Sequence, residues 1–184
     1  MDFWIYVLIG IAVLFVVWSY LKKKSTDENG GRIASKYATF DDVKAHLEGF
    51  VPKSDPKLKN GYTEKSIEIQ LAKYMKEKFV EVNRQYVLEG PNGRSIDIDV
   101  ANGVAGIELK DAKKVMKTAE MDRVKSQILA YQEKRYQNCL ILLVAGESED
   151  MNESSLLELK EYCRKNKVKY YYFELDKGLI AYKA

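Results

Sequence analysis

The apolar positions fall into distinct regimes along the chain. Residues 3–21 (FWIYVLIGIAVLFVVWSYL) run for 19 positions without a charge. At about 1.5 Å per residue they make about 28 Å of helix, close to the hydrocarbon thickness of a bilayer. Residues 25–36 (STDENGGRIASK) are polar and read as a tether, with Gly30-Gly31 for flexibility. Thr39-Phe40-Asp41-Asp42 reads as an N-cap with an acidic first turn, opening a short helix to about Gly49. Residues 51–61 carry two of the three prolines and read as loop. Thr63 caps an expected helix over 64–79. Strands follow at 84–89, 94–100 and 104–110, with the turn Gly90-Pro91-Asn92-Gly93 after the first. A helix is expected over 120–137, a wholly apolar strand over 139–145, a helix over 153–166, and strands over 168–174 and 179–182. The expected organisation is an anchor over 1–24, a tether with a short helix over 25–60, and an α/β domain over 61–184.

The first segment carries Trp4 and Tyr6 at one end and Trp18 and Tyr20 at the other, as an aromatic belt requires. Asp2 precedes it and Lys22-Lys23-Lys24 follow it, which places the C-terminal side in the cytoplasm. A cleaved signal peptide fits less well, because no basic stretch precedes the apolar run and no small-x-small site follows it. The expected product is a single-pass membrane protein, held in the lipid bilayer through residues 3–21.

The hairpin 94–110 is the most informative piece. Asn102-Gly103 suits a type I′ turn and sets a register in which paired positions sum to 205. Val100 then faces Ala105, Ile98 faces Ile107 and Ile96 faces Leu109, giving one apolar face. On the other face Asp97 opposes Glu108, Asp99 opposes Gly106 and Ser95 opposes Lys110. Directly opposed like charges cost up to about 1 kcal/mol. A divalent cation reverses that sign, and oxygen ligands suit Mg²⁺ or Mn²⁺; a solvated polar face is the plain alternative. In the preceding helix Ile67, Leu71, Ala72, Met75 and Phe79 form an apolar stripe, and Glu64 and Glu68 fall inside it. Glu64 is explained by the helix dipole. Glu68, a turn further in, needs a partner or a metal. In the helix over 120–137, Met121, Val124, Ile128 and Tyr131 share a face with Gln127 at its edge.

Composition narrows the chemistry. One histidine and two cysteines in 184 residues exclude a His-rich metal site, a four-thiolate zinc site and a disulfide framework. His46, on the short helix, reads as structural. The net charge of +3 falls to +1 without the +2 that Asp2 and the three lysines carry, so nucleic-acid binding would need a local patch.

Taken in order, Ser66-Ile67-Glu68-Ile69-Gln70-Leu71, Arg94-Ser95-Ile96-Asp97, Ile107-Glu108-Leu109-Lys110 and Arg123-Val124-Lys125-Ser126-Gln127 resemble the PD-(D/E)xK, or restriction-endonuclease-like, superfamily. The resemblance covers about residues 63–145 and, more loosely, the remaining helix and strands. No proline precedes Asp97, and Asp99 competes for the aspartate position. The resemblance implies an αβββαβ core with a mixed sheet flanked by helices. It also implies a Mg²⁺ (or Mn²⁺) site built from Asp97, Glu108 and the Leu109 carbonyl, with Glu68 completing it or serving a second ion. Lys110 would orient and help deprotonate the attacking water, and Gln127 would brace the site. The implied activity is an endonuclease acting on nucleic acid, DNA favoured over RNA.

Lys113, Lys114, Lys117 and Lys125 offer phosphate contacts or an ordinary solvated face. Tyr170-Tyr171-Tyr172-Phe173 offers base stacking or a strand with one face in the core. The rival functions are a catalytically silent nucleic-acid-binding or scaffolding module on the same fold, and a membrane-protein assembly factor with an apolar patch in place of a basic cleft. A second copy of the chain, as a homodimer, is the remaining partner considered.

Overall fold

The computed structural model describes residues 3–28, 30–58, 61–89 and 93–180. Helix α1 (Phe3–Glu28) runs on through Lys22–Lys24 and into the expected tether. Its described apolar side chains stand exposed, with Leu8, Leu14, Phe15 and Val16 each about two-thirds open. Among the described residues no helix is long and apolar enough to cross a membrane.

The segment after α1 is more than a tether. Ile33 is buried, donates its N–H to Lys78 O (2.7 Å) and accepts from Val80 N–H (3.0 Å), an extra bridge beside Phe79. Helix α2 (Phe40–Leu47) has the expected cap. Thr39 Oγ1 accepts the Asp42 N–H and Asp42 reciprocates, so two otherwise unsatisfied donors are matched. Lys22 then pairs with the same Asp42 carboxylate at 2.6 Å, fastening the end of α1 to α2. Ile33, Val43, Leu47 and Phe50 therefore pack into the same apolar layer as α3.

Thr63 and Ser66 make a second reciprocal cap on α3 (Glu64–Lys78), whose Ile67, Leu71, Ala72 and Met75 are buried as the spacing expects. Strands β1 (Val82–Val87), β2 (Ser95–Val100) and β3 (Ala105–Asp111) are antiparallel. A single-turn helix α4 (Ala112–Val115), not expected from the sequence, and α5 (Thr118–Lys134) lead to β4 (Leu140–Gly146), parallel to β3. Helix α6 (Ser154–Lys165) precedes β5 (Lys169–Glu174), parallel to β4, and the short antiparallel β6 (Gly178–Leu179). The result is one six-stranded mixed sheet, ordered β1 to β6, in an α/β arrangement. Part of the expected turn at Gly90-Pro91-Asn92 and the end of the last expected strand lie outside the described residues.

Two apolar layers sandwich the sheet. One joins α2 and α3 to Ile98, Val100, Ile107, Leu109, Ile141, Leu143 and Phe173. The other joins α5 and α6 to Leu140, Leu142, Val144 and Tyr172. Tyr171, Tyr172 and Phe173 are thus core residues on alternate faces, so the aromatic run serves packing. His46 stacks on Tyr74 (4.3 Å between ring centroids) with Nε2 3.1 Å from the Tyr74 carbonyl, a structural role.

The hairpin keeps its expected register over Ile98↔Ile107, Asp99↔Gly106 and Val100↔Ala105, but the turn is a four-residue loop with Ala101, Asn102 and Gly103 all at positive φ rather than the expected two-residue type I′ turn. Beyond Ile98 it departs. Ile96 packs in the α5–α6 layer while Leu109 stays in the α3 layer, so the expected Ile96–Leu109 apolar pair does not form. The same switch occurs in β1, where Val82 joins the α3 layer and Tyr86 the α5 layer. Its cause is Gln85, a non-glycine residue at φ 49° inside a strand, level with Asp97. A left-handed residue breaks the two-residue alternation, and it does so where β2 parts from β3.

Candidate active site

Asp97 sits at that parting. Its Oδ2 accepts the Leu109 N–H at 2.8 Å, taking over a ladder bond that the β2 backbone no longer supplies. Gln85 Nε2 bridges Asp97 Oδ1 (3.1 Å) and Glu68 Oε2 (2.9 Å), and Arg84 pairs with Glu68 Oε1 at 2.8 Å. A left-handed non-glycine residue costs of order 1–3 kcal/mol, so the backbone at Gln85 holds its amide between two carboxylates at a local expense. Glu64, Lys65, Glu68, Arg84, Gln85, Asp97 and Leu109 line a cleft of about 370 Å³ on the α3 side.

Glu108 and Lys110 alternate with Ile107 and Leu109 and so belong to the opposite face. Both are almost fully buried, because β3 is an interior strand. Lys110 Nζ donates to Glu108 Oε1 and, at 3.2 Å, to the Leu109 carbonyl. Among the described residues no hydrogen bond reaches the buried Glu108 Oε2, although the Tyr131 hydroxyl lies beside that carboxyl group. Tyr131 lies beside Glu108 but donates its hydroxyl proton to Ser95 O (2.8 Å), and Gln127 Nε2 approaches the same hydroxyl at 3.3 Å. Gln127 therefore acts on the site through Tyr131, which its helical spacing marks only as a core residue.

Burial pushes the Glu108 carboxyl up to about 7; Lys110 opposes the rise and Asp97 adds to it. Asp97 is also raised, by burial first, with Lys110 and the Leu109 N–H opposing. Burial alone would lower Lys110, but Glu108 and then Asp97 outweigh it and hold the ammonium above its ordinary range. The cluster is short of positive charge. A folded-state value above the unfolded one means the folded chain holds more protons between pH 4.5 and 7, so stability falls as pH rises through that window. The metal-free protein is expected to lose several degrees of Tm between pH 5 and pH 8. Calorimetry checks this, and a Glu108→Gln variant should flatten the profile.

The other candidates separate from this cluster. Asp99 is fully buried and bonded by Tyr136 (2.7 Å) and Asn83 (3.4 Å), with Arg135 at 3.6 Å; it pins the hairpin. Glu64 accepts the Asp111 N–H (3.0 Å), tying α3 to the end of β3. Lys113, Lys114 and Lys125 pair with Glu147, Glu64 and Glu158, and Lys117 is the backbone N-cap of α5.

Among the described residues no group of three or more His, Cys, Asp and Glu side chains is gathered to hold a metal ion. Glu68 reaches Asp97 only through Gln85. The smaller set is Asp97, Glu108 and the Leu109 carbonyl, whose donors are all oxygens of the kind a hard divalent cation takes. It offers an unmatched buried carboxylate oxygen, and Mg²⁺ characteristically takes one or two carboxylates and keeps its waters. Against known proteins, no family model matches the chain, and neither a curated protein nor a solved structure matches it significantly.

Proposed function

We propose that the chain is a membrane-anchored, Mg²⁺-dependent nuclease, with DNA favoured over RNA, on a restriction-endonuclease-like αβββαβ core. One observation carries the reading. A buried carboxylate, a half-buried one and a buried lysine act on one another electrostatically where β2 and β3 part, with an unpartnered Glu108 oxygen and raised Asp97 and Glu108. Lys110 pairs with one Glu108 oxygen, and a buried carboxylate oxygen left without a partner destabilises a fold, so its retention supports a ligand that satisfies it. In this reading Asp97, Glu108 and the Leu109 carbonyl hold Mg²⁺ or Mn²⁺, which when bound polarises a phosphodiester and lowers the pKa of a water. Lys110 orients that water from beside Glu108. Gln127 and Tyr131 keep Glu108 and the start of β2 in place, and Glu68 enters once it gives up Gln85. The test is cleavage of linear and circular DNA and of RNA by the full chain in detergent, with Mg²⁺, Mn²⁺, Ca²⁺ or EDTA. Cleavage with Mg²⁺ or Mn²⁺ is expected; none with any metal on any nucleic acid overturns the reading in favour of a silent binding module.

The anchor is proposed on different ground. The described apolar residues of α1 between Leu8 and Val17 are exposed all round the helix, and no described residue covers them. A helix apolar on every side needs an apolar surrounding, and the lysines at its C-terminal end set the direction. Protease added to intact cells should spare the domain after Lys24, and its digestion would show the opposite topology.

A further inference from the structure

The cations around the site are mostly committed. Lys110 serves Glu108 and Arg84 serves Glu68, while Lys113, Lys114 and Lys125 each face a carboxylate. Arg94 differs. Among the described residues it forms no ion pair, and its Nη1 donates to the Ser126 carbonyl at 3.0 Å. The rest of its guanidinium opens into a cavity of about 550 Å³ on the α5 side, lined also by Ser95, Arg123, Ser126, Gln127 and Tyr131. Arg123 is bonded to Glu120 through Nε (2.9 Å) and Nη2, but the pair is largely exposed and such pairs yield readily.

Among the described residues no carboxylate lines this cavity, whereas the α3-side cleft is lined by Glu64, Glu68 and Asp97 beside Lys65 and Arg84. The α3-side cleft thus carries a formal excess of one negative charge, whereas the α5-side cavity carries two positive charges and no acid. Tyr131 forms part of the cavity wall and lies beside Glu108, so the two sides share a boundary at the catalytic cluster.

We infer that Arg94 and Arg123 form a phosphate subsite, holding a nucleic-acid phosphate next to the one that is cut; the inference rests on the nuclease reading. A guanidinium presents planar paired N–H groups that match two phosphate oxygens, which a lysine cannot do. The phosphate has two sources, an internal diester or a terminal 5′-monoester.

The test measures binding, which needs no turnover. A short DNA duplex, with either a 5′-phosphate or a 5′-hydroxyl end, is titrated in Ca²⁺ against the full chain in detergent and its Arg94→Gln, Arg94→Lys, Arg123→Gln and Lys134→Gln variants over a range of salt. Lys134 is the control, eleven residues beyond Arg123 on α5 and so about 16 Å away along the helix. Arg94→Gln should weaken binding about tenfold and lower the slope of log Kobs against log salt by about 0.9, the value of one lost phosphate contact. Arg94→Lys should keep the slope but lose part of the affinity. Arg123→Gln should lose less, and Lys134→Gln should change neither quantity. A loss confined to the 5′-phosphorylated duplex assigns the terminal monoester, and an equal loss on both assigns the diester. Arg94→Gln binding within twofold of wild type with an unchanged slope overturns the subsite, as does a wild type that binds neither duplex, whatever the cleavage assay shows. A wild type that binds through Arg94 yet cleaves nothing overturns the nuclease reading and leaves the subsite standing.

Discussion

Asp97→Asn should abolish metal-dependent cleavage, by a factor of at least about 10³, while the metal-free variant melts at or slightly above the wild-type temperature. The rate loss comes from removing one of two carboxylates in a set whose cation supplies several kcal/mol of transition-state stabilisation. The retained stability comes from the contacts. The asparagine oxygen can still accept the Leu109 N–H now taken by Oδ2 at 2.8 Å. The new amide nitrogen would face Gln85 Nε2, so that one bond is given up, while Gln85 keeps its 2.9 Å bond to Glu68 and Ser95 Oγ keeps its bond to Gln85 Oε1. The change removes a negative charge that raises Glu108, and relieves its repulsion with Glu68. Thermal unfolding with and without Mg²⁺ tests the pair of statements: the variant should lose the Mg²⁺-induced rise in Tm. A fall of several degrees in the absence of metal would show that Asp97 is a structural cap for Leu109 rather than a ligand.

The elements are legible in the sequence where local chemistry decides them. Thr39 and Thr63 are caps because their hydroxyls answer the first free amides of α2 and α3, and each has a reciprocating residue three positions on. Asn102-Gly103 sets the hairpin because both residues tolerate positive φ. The features that escape a sequence reading depend on neighbours distant along the chain. Ser95 to Val100 alternates without fault, so nothing in it announces that Ile96 crosses to the other layer, level with the left-handed Gln85 on the adjacent strand. Ile33 looks like tether because one isoleucine among polar residues carries no periodicity, yet it bridges Phe79. Alternation puts Glu108 and Lys110 on a polar face that is in fact covered by α5, since a hairpin alone does not reveal that its second strand is interior. The spacing of Tyr131 implies packing and nothing more; its hydroxyl, between Ser95 and Gln127, is invisible to periodicity.

Lys110→Ala should remove most of the turnover, about 10² or more in a single-turnover assay, while affinity for nucleic acid in Ca²⁺ stays within a few-fold. Lys110 contacts Glu108 and the Leu109 carbonyl rather than acting as a ligand, so its loss belongs to the chemical step. Its effect on stability has a distinctive pH dependence. Removing one partner of a buried pair costs about 3–5 kcal/mol when the other stays charged. Glu108 need not stay charged: burial already lifts it to about 7 against the pull of Lys110, and without that ammonium it rises further. At pH 5.5 Glu108 is protonated in the folded variant and little is lost. As pH rises above 7, the folded variant must either ionise a buried carboxylate without its counter-ion or hold a proton that the unfolded chain has released. Both lower its stability. The destabilisation relative to wild type should therefore be small at pH 5.5 and reach several kcal/mol at pH 8, as measured by denaturant unfolding without metal. A loss equal at both pH values would mean that Lys110 contributes packing rather than charge. Cleavage by the variant at the wild-type rate would remove Lys110 from the chemistry and leave Asp97 and Glu108 to activate water without it.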